Sequence, residues 1–264
     1  MVPFDYQRPA SLQFALAAFE GDARFLAGGQ SLVQAMKLRM SASERLVDLG
    51  GIAELSGIRA DEDRIVIGAM TRHAQVASSA TVRQRLPGLA DLAEGIGDPA
   101  VRAMGTLGGA LANADPAACY PAAVLALDAT VHTDRRTIAA ADFFTGIYQT
   151  ALKPGELITE ISFPVTARSA YAKLRQPASR FAIVGVFVAQ GAFGVRVAVT
   201  GAAACVRREP ALEAALAAEF SPQAVKGVQL SADDLTSDLH ASAGYRAAMI
   251  VAMSAKAVER ALSR

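Results

Sequence analysis

The sequence predicts an α+β fold in two parts, with a boundary near residues 164–169. Three observations predict it. The chain has 264 residues, of which 52% are apolar and 19% charged, so it is globular and long enough to bury one large core or two modest ones. Strand and helix signals alternate through the first 70 residues. Beyond Pro164 the strand signals come first and the helical signals follow, which is the order of a small α+β unit.

The elements follow in chain order. Ser11 is an N-cap for a helix over residues 12–20, and Gly21 stops it. Residues 24–27 read as a short strand running into Gly28 and Gly29, after which Ser31 caps a helix reaching residue 38. Apolar runs at 46–49 and 65–67 are strands, and Thr71 caps the helix after Met70. Residues 86–97 are helical. Asp98–Pro99 breaks that pattern, because the residue before proline avoids the α region. A glycine-rich loop follows at 105–109. Asp115 and Pro116 suit the N-cap and first position of a helix toward Leu127, although Pro121 lies inside that span. Strands are expected at 130–132, 157–163, 171–174, 183–189 and 195–204, and helices at 211–218 and 243–262.

Several function classes are disfavoured by composition. The net charge is +1, and the only tight basic pairs are Arg135–Arg136 and Arg207–Arg208, so no face is concentrated for nucleic acid. Cys119 and Cys205 are too few for an iron–sulfur cluster. The first ten residues hold Asp5, Gln7 and Arg8 and no apolar leader core, which sets a reducing cytoplasm and two free thiols as the expectation. The most apolar stretch, 181–206, contains Arg196 and five turn-forming positions (Gly185, Gln190, Gly191, Gly194, Gly201). It is read as two buried strands joined near 190–194 and not as a membrane span. His73, His132 and His240 lack metal-ligand spacing and are expected at the surface or in caps. No metal site and no nucleophile–base pair is legible.

Two glycine segments carry the chemistry. A pyrophosphate needs several backbone N–H groups in one concavity with no Cβ in the way, and glycine permits both the approach and positive φ. AGGQSL at 27–32 offers a strand, two glycines and a helix start; GTLGG at 105–109 offers a second loop, with Thr106 adding a hydroxyl. Neither fits the dinucleotide fingerprint G-x-G-x-x-G or the P-loop, and a single Gly-Gly turn between strand and helix is usually only a turn.

Order is more specific than either loop. AGGQSL is followed by MKLRM and LVDLG, then by IGDPAVRAMGTLGGALANADPAACYPAAVLALDATV, ADFFTG, LKPGELITEISFP, SAYAKL, SRFAIVGV and DLHASAGYR. This series resembles the FAD-binding medium subunits of the carbon monoxide dehydrogenase and xanthine dehydrogenase group, over almost the whole chain. The resemblance implies a two-lobed FAD-binding domain of the vanillyl-alcohol oxidase type over 1–164, with lobes of about 1–60 and 61–164. A small α+β flavoprotein domain over 165–264 follows.

By the same resemblance, Ala27, Gly28, Gly29, Gln30, Ser31 and Leu32, together with Thr106, Gly108, Gly109 and Ala110, hold the FAD diphosphate. Lys173 matches a position near the flavin ring, where its charge would stabilise a reduced, anionic flavin, and Phe181 matches an aromatic beside the ring. Two positions depart from the pattern. Ala110 stands where relatives carry Asn or Ser. Cys119 and Tyr120 stand where they carry Asp and Leu, and Asp115 is the candidate to replace that carboxylate. No catalytic residue is expected on this chain. The implied role is an electron-transfer subunit that takes electrons from [2Fe–2S] clusters on a small partner, fed by a molybdenum cofactor on a large partner, and passes them to NAD, oxygen, a quinone or another acceptor. The expected assembly is a dimer of heterotrimers. A stand-alone FAD oxidoreductase and a scaffold of the same fold without flavin are the alternatives.

Overall fold

The computed structural model describes all 264 residues. The chain opens with β1 (Asp5–Gln7), α1 (Leu12–Ala17), β2 (Ala23–Leu26), α2 (Leu32–Lys37) and β3 (Arg45–Asp48). The three strands form a parallel sheet with β3 in the middle. The Ser11 hydroxyl caps α1 by accepting from the Phe14 N–H. The helix stops at Ala17 rather than residue 20, and Gly21, at φ +59°, turns the chain into β2. All three residues of β1 are exposed, so it left no alternating pattern to read.

The middle of the chain holds β4 (Ile58–Ala60) and β5 (Arg64–Gly68), then six short helices: α3 (His73–Ser78), α4 (Ala80–Arg85), α5 (Pro87–Glu94), α6 (Pro99–Met104), α7 (Leu107–Asn113) and α8 (Tyr120–Ala126). There follow β6 (Thr130–Thr133), β7 (Thr137–Ala139), α9 (Ala140–Phe143), the hairpin of β8 (Phe144–Gly146) and β9 (Gln149–Thr150), and β10 (Ile158–Pro164). Five of the strands make an antiparallel sheet ordered β4-β5-β10-β6-β7.

The structure departs from the local expectations in three places. Thr71 does not cap α3. Its buried hydroxyl instead donates to the Gly57 carbonyl and accepts from the Gly57 N–H, both at 3.0 Å, and Arg72 takes the cap position. Asp98–Pro99 starts a helix. Asp98 is extended, as a pre-proline residue prefers, and that is also the N-cap conformation; its carboxylate accepts from the Val101 N–H at 2.9 Å. Asp115–Pro116 makes only a turn, with the Asp115 carboxylate accepting from the Ala117 N–H, and α8 begins at Tyr120 with Pro121 in its first turn.

The last part holds β11 (Arg168–Arg175), β12 (Ala182–Gly191), β13 (Gly194–Thr200), β14 (Arg207–Arg208), α10 (Pro210–Ala218), α11 (Pro222–Lys226) and α12 (Ala243–Leu262). The four strands form an antiparallel sheet in chain order. Its two faces are both buried, which explains why β12 is apolar at nearly every position and does not alternate. Val184, Val186, Val188, Val197 and Val199 pack with Leu212, Leu216, Ile250 and Val258 of α10 and α12. The alternate residues Tyr171, Phe187, Ala189 and Ala198 face the other way and join the core built around α5, α8 and β10. The core thus runs without a break across residue 164. No helix is long and apolar enough to cross a membrane.

Candidate functional site

Strand β2 ends at Leu26, and residues 27–31 carry the chain into α2. Gly29 sits at φ +71°, a conformation that L side chains rarely adopt. The turn leaves a row of backbone donors unused: no group in the protein accepts from the N–H of Gly28, Gly29, Gln30, Ser31 or Leu32. The Gln30 side-chain amide folds back onto the Gly28 carbonyl at 3.3 Å. Ser31 occupies the N-cap position of α2, yet its hydroxyl makes no capping bond and stays free. Successive unpaired amides of this kind form a concavity that favours an anion.

Residues 105–109 differ from the open loop expected of them. Thr106 caps α7, and Gly108 and Gly109 lie in its first turn. Their amides are committed: Leu107 donates to the Thr71 carbonyl, Gly108 to that of Ala69, Gly109 to the Thr106 hydroxyl and Ala110 to the Thr106 carbonyl, at 2.8–3.2 Å. This segment is therefore a wall and not a second row of donors. Its glycines serve the fold. A Cβ on Gly108 would come within 2.5 Å of the Ala69 Cβ. Across the site, a Cβ on Gly28 would lie 2.2 Å from the Met104 carbonyl oxygen and 2.7 Å from the Gly105 Cα. At Gly28 and Gly108 the space a side chain would need is filled by the protein itself, so the packing of the chain requires glycine at both positions.

The two segments enclose a cleft of about 300 Å³. All of residues 27–32 line it, with Thr106, Gly108, Gly109 and Ala110 opposite. Asp115, Lys173 and Phe181 do not line it; the fold gathers them into a second group. The turn at Asp115 is tied to the 181–182 segment by the Ala182 N–H on the Ala117 carbonyl at 3.4 Å. The Asp115 carboxylate also accepts from the Tyr148 hydroxyl at 3.2 Å. The Lys173 ammonium donates to the Arg180 carbonyl at 3.0 Å and the Gly95 carbonyl at 2.8 Å, which fixes the turn before Phe181. The Phe181 side chain is half exposed.

Sequence reasoning missed three cleft residues. His73, expected at the surface or in a cap, is the first residue of α3 but is only 5% exposed, and its ring packs 5.2 Å from that of Tyr120. Burial, with a smaller contribution from Arg102, lowers its pKa to about 4, so the imidazole is neutral at pH 7. Its Nδ1 has no partner, and Gly105 makes room for its Nε2, which a Cβ there would meet at 2.5 Å. Glu156 has a fully buried side chain. Hydrogen bonds from Arg136, above all, and from the Lys153 amide and the Thr133 hydroxyl hold its pKa at about 2. Its charge is thus matched inside the protein. Arg24, on β2, is the one Lys or Arg side chain lining the cleft. His73 and Glu156 reach the cleft only through the packing of segments distant from residues 27–32, while Arg24 lies on the strand that leads into them and carries no motif of its own. Of the other histidines, His132 bonds the Ser162 hydroxyl at 3.0 Å and His240 is exposed.

A larger cavity of about 450 Å³ lies elsewhere, against Arg83, Arg85, Arg168 and Arg264. It touches none of the expected residues, and its guanidinium groups are already engaged, among them Arg83 with Glu94 and Arg264 with Asp91. The glycine-lined cleft fits an anionic ligand better: it offers five free amides, two hydroxyls and one cation. A diphosphate matches that donor set.

Comparison with known proteins agrees. Residues 2–166 match the family described as the FAD binding domain in molybdopterin dehydrogenase. The chain is 39% identical over 227 residues to the carbon monoxide dehydrogenase medium chain of Hydrogenophaga pseudoflava, covering 79% of each chain. It is 32% identical over 275 residues to the nicotine 6-hydroxylase medium subunit of Paenarthrobacter nicotinovorans, covering 98% of this chain and 97% of that one. Among solved structures, reconstituted CO dehydrogenase from Oligotropha carboxidovorans superposes with a TM-score of 0.89 at 34% identity, over 100% of both chains. The chain therefore belongs to the FAD-binding medium-subunit family of the molybdenum hydroxylases, the group of carbon monoxide dehydrogenase and xanthine dehydrogenase, and is an oxidoreductase component.

Proposed function

We propose that this chain is the FAD-carrying electron-transfer subunit of a molybdenum hydroxylase. It takes electrons from iron–sulfur clusters of a small partner subunit and passes them to NAD, oxygen, a quinone or another acceptor. The observation that carries the reading is the row of unpaired amides from Gly28 to Leu32 facing Thr106 across the cleft. Bound flavin supplies the ability to accept electrons singly and release them in pairs. The chain's own residues bind and orient. The amides of residues 28–32 hold the diphosphate, with the Ser31 and Thr106 hydroxyls as further donors and Ala27, Gly108, Gly109 and Ala110 as walls. Arg24 adds positive charge. Asp115, Lys173 and Phe181 form the ring end, where Lys173 fixes the turn that presents Phe181.

In this reading residues 1–164 are the two-lobed FAD-binding domain of the vanillyl-alcohol oxidase type, and 165–264 the C-terminal flavoprotein domain. A large molybdopterin subunit and a small iron–sulfur subunit complete a dimer of heterotrimers in the cytoplasm. Purification from the native host tests this. Absorption bands at about 370 and 450 nm, with molybdenum and iron co-eluting, support it. A colourless protein that does not take up added FAD overturns the flavin assignment, and a monomer that turns over alone overturns the subunit assignment.

A further inference from the structure

Two side chains of β11, Tyr171 and Lys173, meet Cys119, the residue before α8 and more than 50 positions earlier in the chain. The Lys173 Nζ lies 3.4 Å from the Cys119 Sγ. Its other two donors are spent on the Gly95 and Arg180 carbonyls, so the ammonium is held in place. No carboxylate pairs with it. Cys119 is a free thiol, 6% exposed. The Tyr171 hydroxyl is 96% buried by residue (4% exposed) and has no hydrogen-bond partner. Burial above all, and then the neighbouring Cys119, raise its pKa, so it stays protonated beside the pair.

We propose that dioxygen oxidises this pair to a covalent Cys119–O–Lys173 cross-link. The thiol, the ammonium and one dioxygen give the S–O–N bridge, one water and one released proton. The S–H bond and two N–H bonds break along with O–O, and S–O and O–N bonds form. Sulfur and nitrogen each lose two electrons, and the four go to the two oxygen atoms, one kept in the bridge and one leaving as water. The bridging oxygen adds an acceptor on the side of Cys119 that the Tyr171 hydroxyl neighbours. The link ties α8 to β11 and removes the Lys173 charge, so it is an oxygen-responsive staple across the two halves of the chain. The observations behind it are the Cys119–Lys173 contact and the buried Tyr171 hydroxyl, not the flavin assignment.

Intact-mass measurement of the full chain tests it, comparing anaerobically purified protein with protein held in air-saturated buffer. The expected result is a gain of about 14 Da (one oxygen in, two hydrogens out), reversed by dithiothreitol. Peptide mapping should place the link between Cys119 and Lys173, with loss of tryptic cleavage at Lys173. Cys119→Ser and Lys173→Arg should both abolish the species while their melting curves confirm folding. The proposal is overturned if Cys119 gains only about 16 or 32 Da with Lys173 still cleavable, if the link appears in Cys119→Ser, or if prolonged air exposure changes nothing.

Discussion

Replacing Gly28 by alanine is the sharpest probe of the cleft. The added Cβ would sit 2.2 Å from the Met104 carbonyl oxygen, 2.7 Å from the Gly105 Cα and 2.8 Å from the Met104 carbonyl carbon. All three are backbone atoms, so no side-chain rotation relieves the clash, and the 27–32 turn must move away from residues 104–105. Overpacking of this kind costs about 1–3 kcal/mol, and with backbone on the receiving side the upper end applies. For a chain of this size each kcal/mol lowers Tm by about 2–4 °C, so Gly28→Ala should melt about 6–12 °C lower. The separation of the two segments also misplaces the amide row, so FAD retention should fall with stability. Gly227→Ala is the control, since nothing lies within 4 Å of its Cβ and its φ is not positive. Calorimetry with and without added FAD, alongside flavin content after desalting, measures both effects. A Gly28→Ala protein with unchanged Tm and full flavin would refute the close approach of the two segments.

Other outcomes follow from the same geometry. Arg24→Gln should weaken FAD binding about tenfold, the worth of one charge-assisted contact, with little change in the Tm of the flavin-free protein; fluorescence titration reads it. His73 is held neutral, with its pKa lowered from 6.5 to about 4. The unfolded chain therefore binds more protons between these values, so stability should fall by up to about 3 kcal/mol as pH drops from 6.5 to 4. Urea melts of the wild type and His73→Gln across that range should show the slope flattened in the variant. Arg136→Met removes the partner of the buried Glu156 carboxylate and should lower stability at pH 7, with a smaller loss for the double variant Arg136→Met/Glu156→Gln. Because the Glu156 pKa is depressed to about 2, its contribution is present above the ordinary carboxylate pKa and should fade as pH falls toward 2.

Much of the fold was legible because its signals are local. The hydroxyl cap at Ser11, the span of α12 and the paired strands around Gly191 and Gly194 follow from capping and apolar pattern alone. Where local reading failed, a distant partner decided. Thr71 looks like a cap, but burial against β4 gives its hydroxyl a backbone partner 14 residues away. Asp98–Pro99 reads as a break because the pre-proline rule is local, while the helix that makes Asp98 an N-cap lies after it. In the site, residues 27–32 and 105–110 were both visible as glycine segments, yet their roles were not. The first keeps its amides free and the second gives its amides to residues 69–71 and to its own cap.

The sequence by itself determined the family, the order of elements and the identity of the two segments, because glycine content, capping residues and motif order are properties of short stretches. Only the tertiary structure decided which backbone donors remain for a ligand, that His73, Glu156 and Arg24 complete the cleft, and that Lys173 reaches Cys119. The physical reason is the same in each case. A hydrogen-bond donor is available only when no other part of the chain satisfies it, and a buried polar group takes its character from whatever folding packs against it.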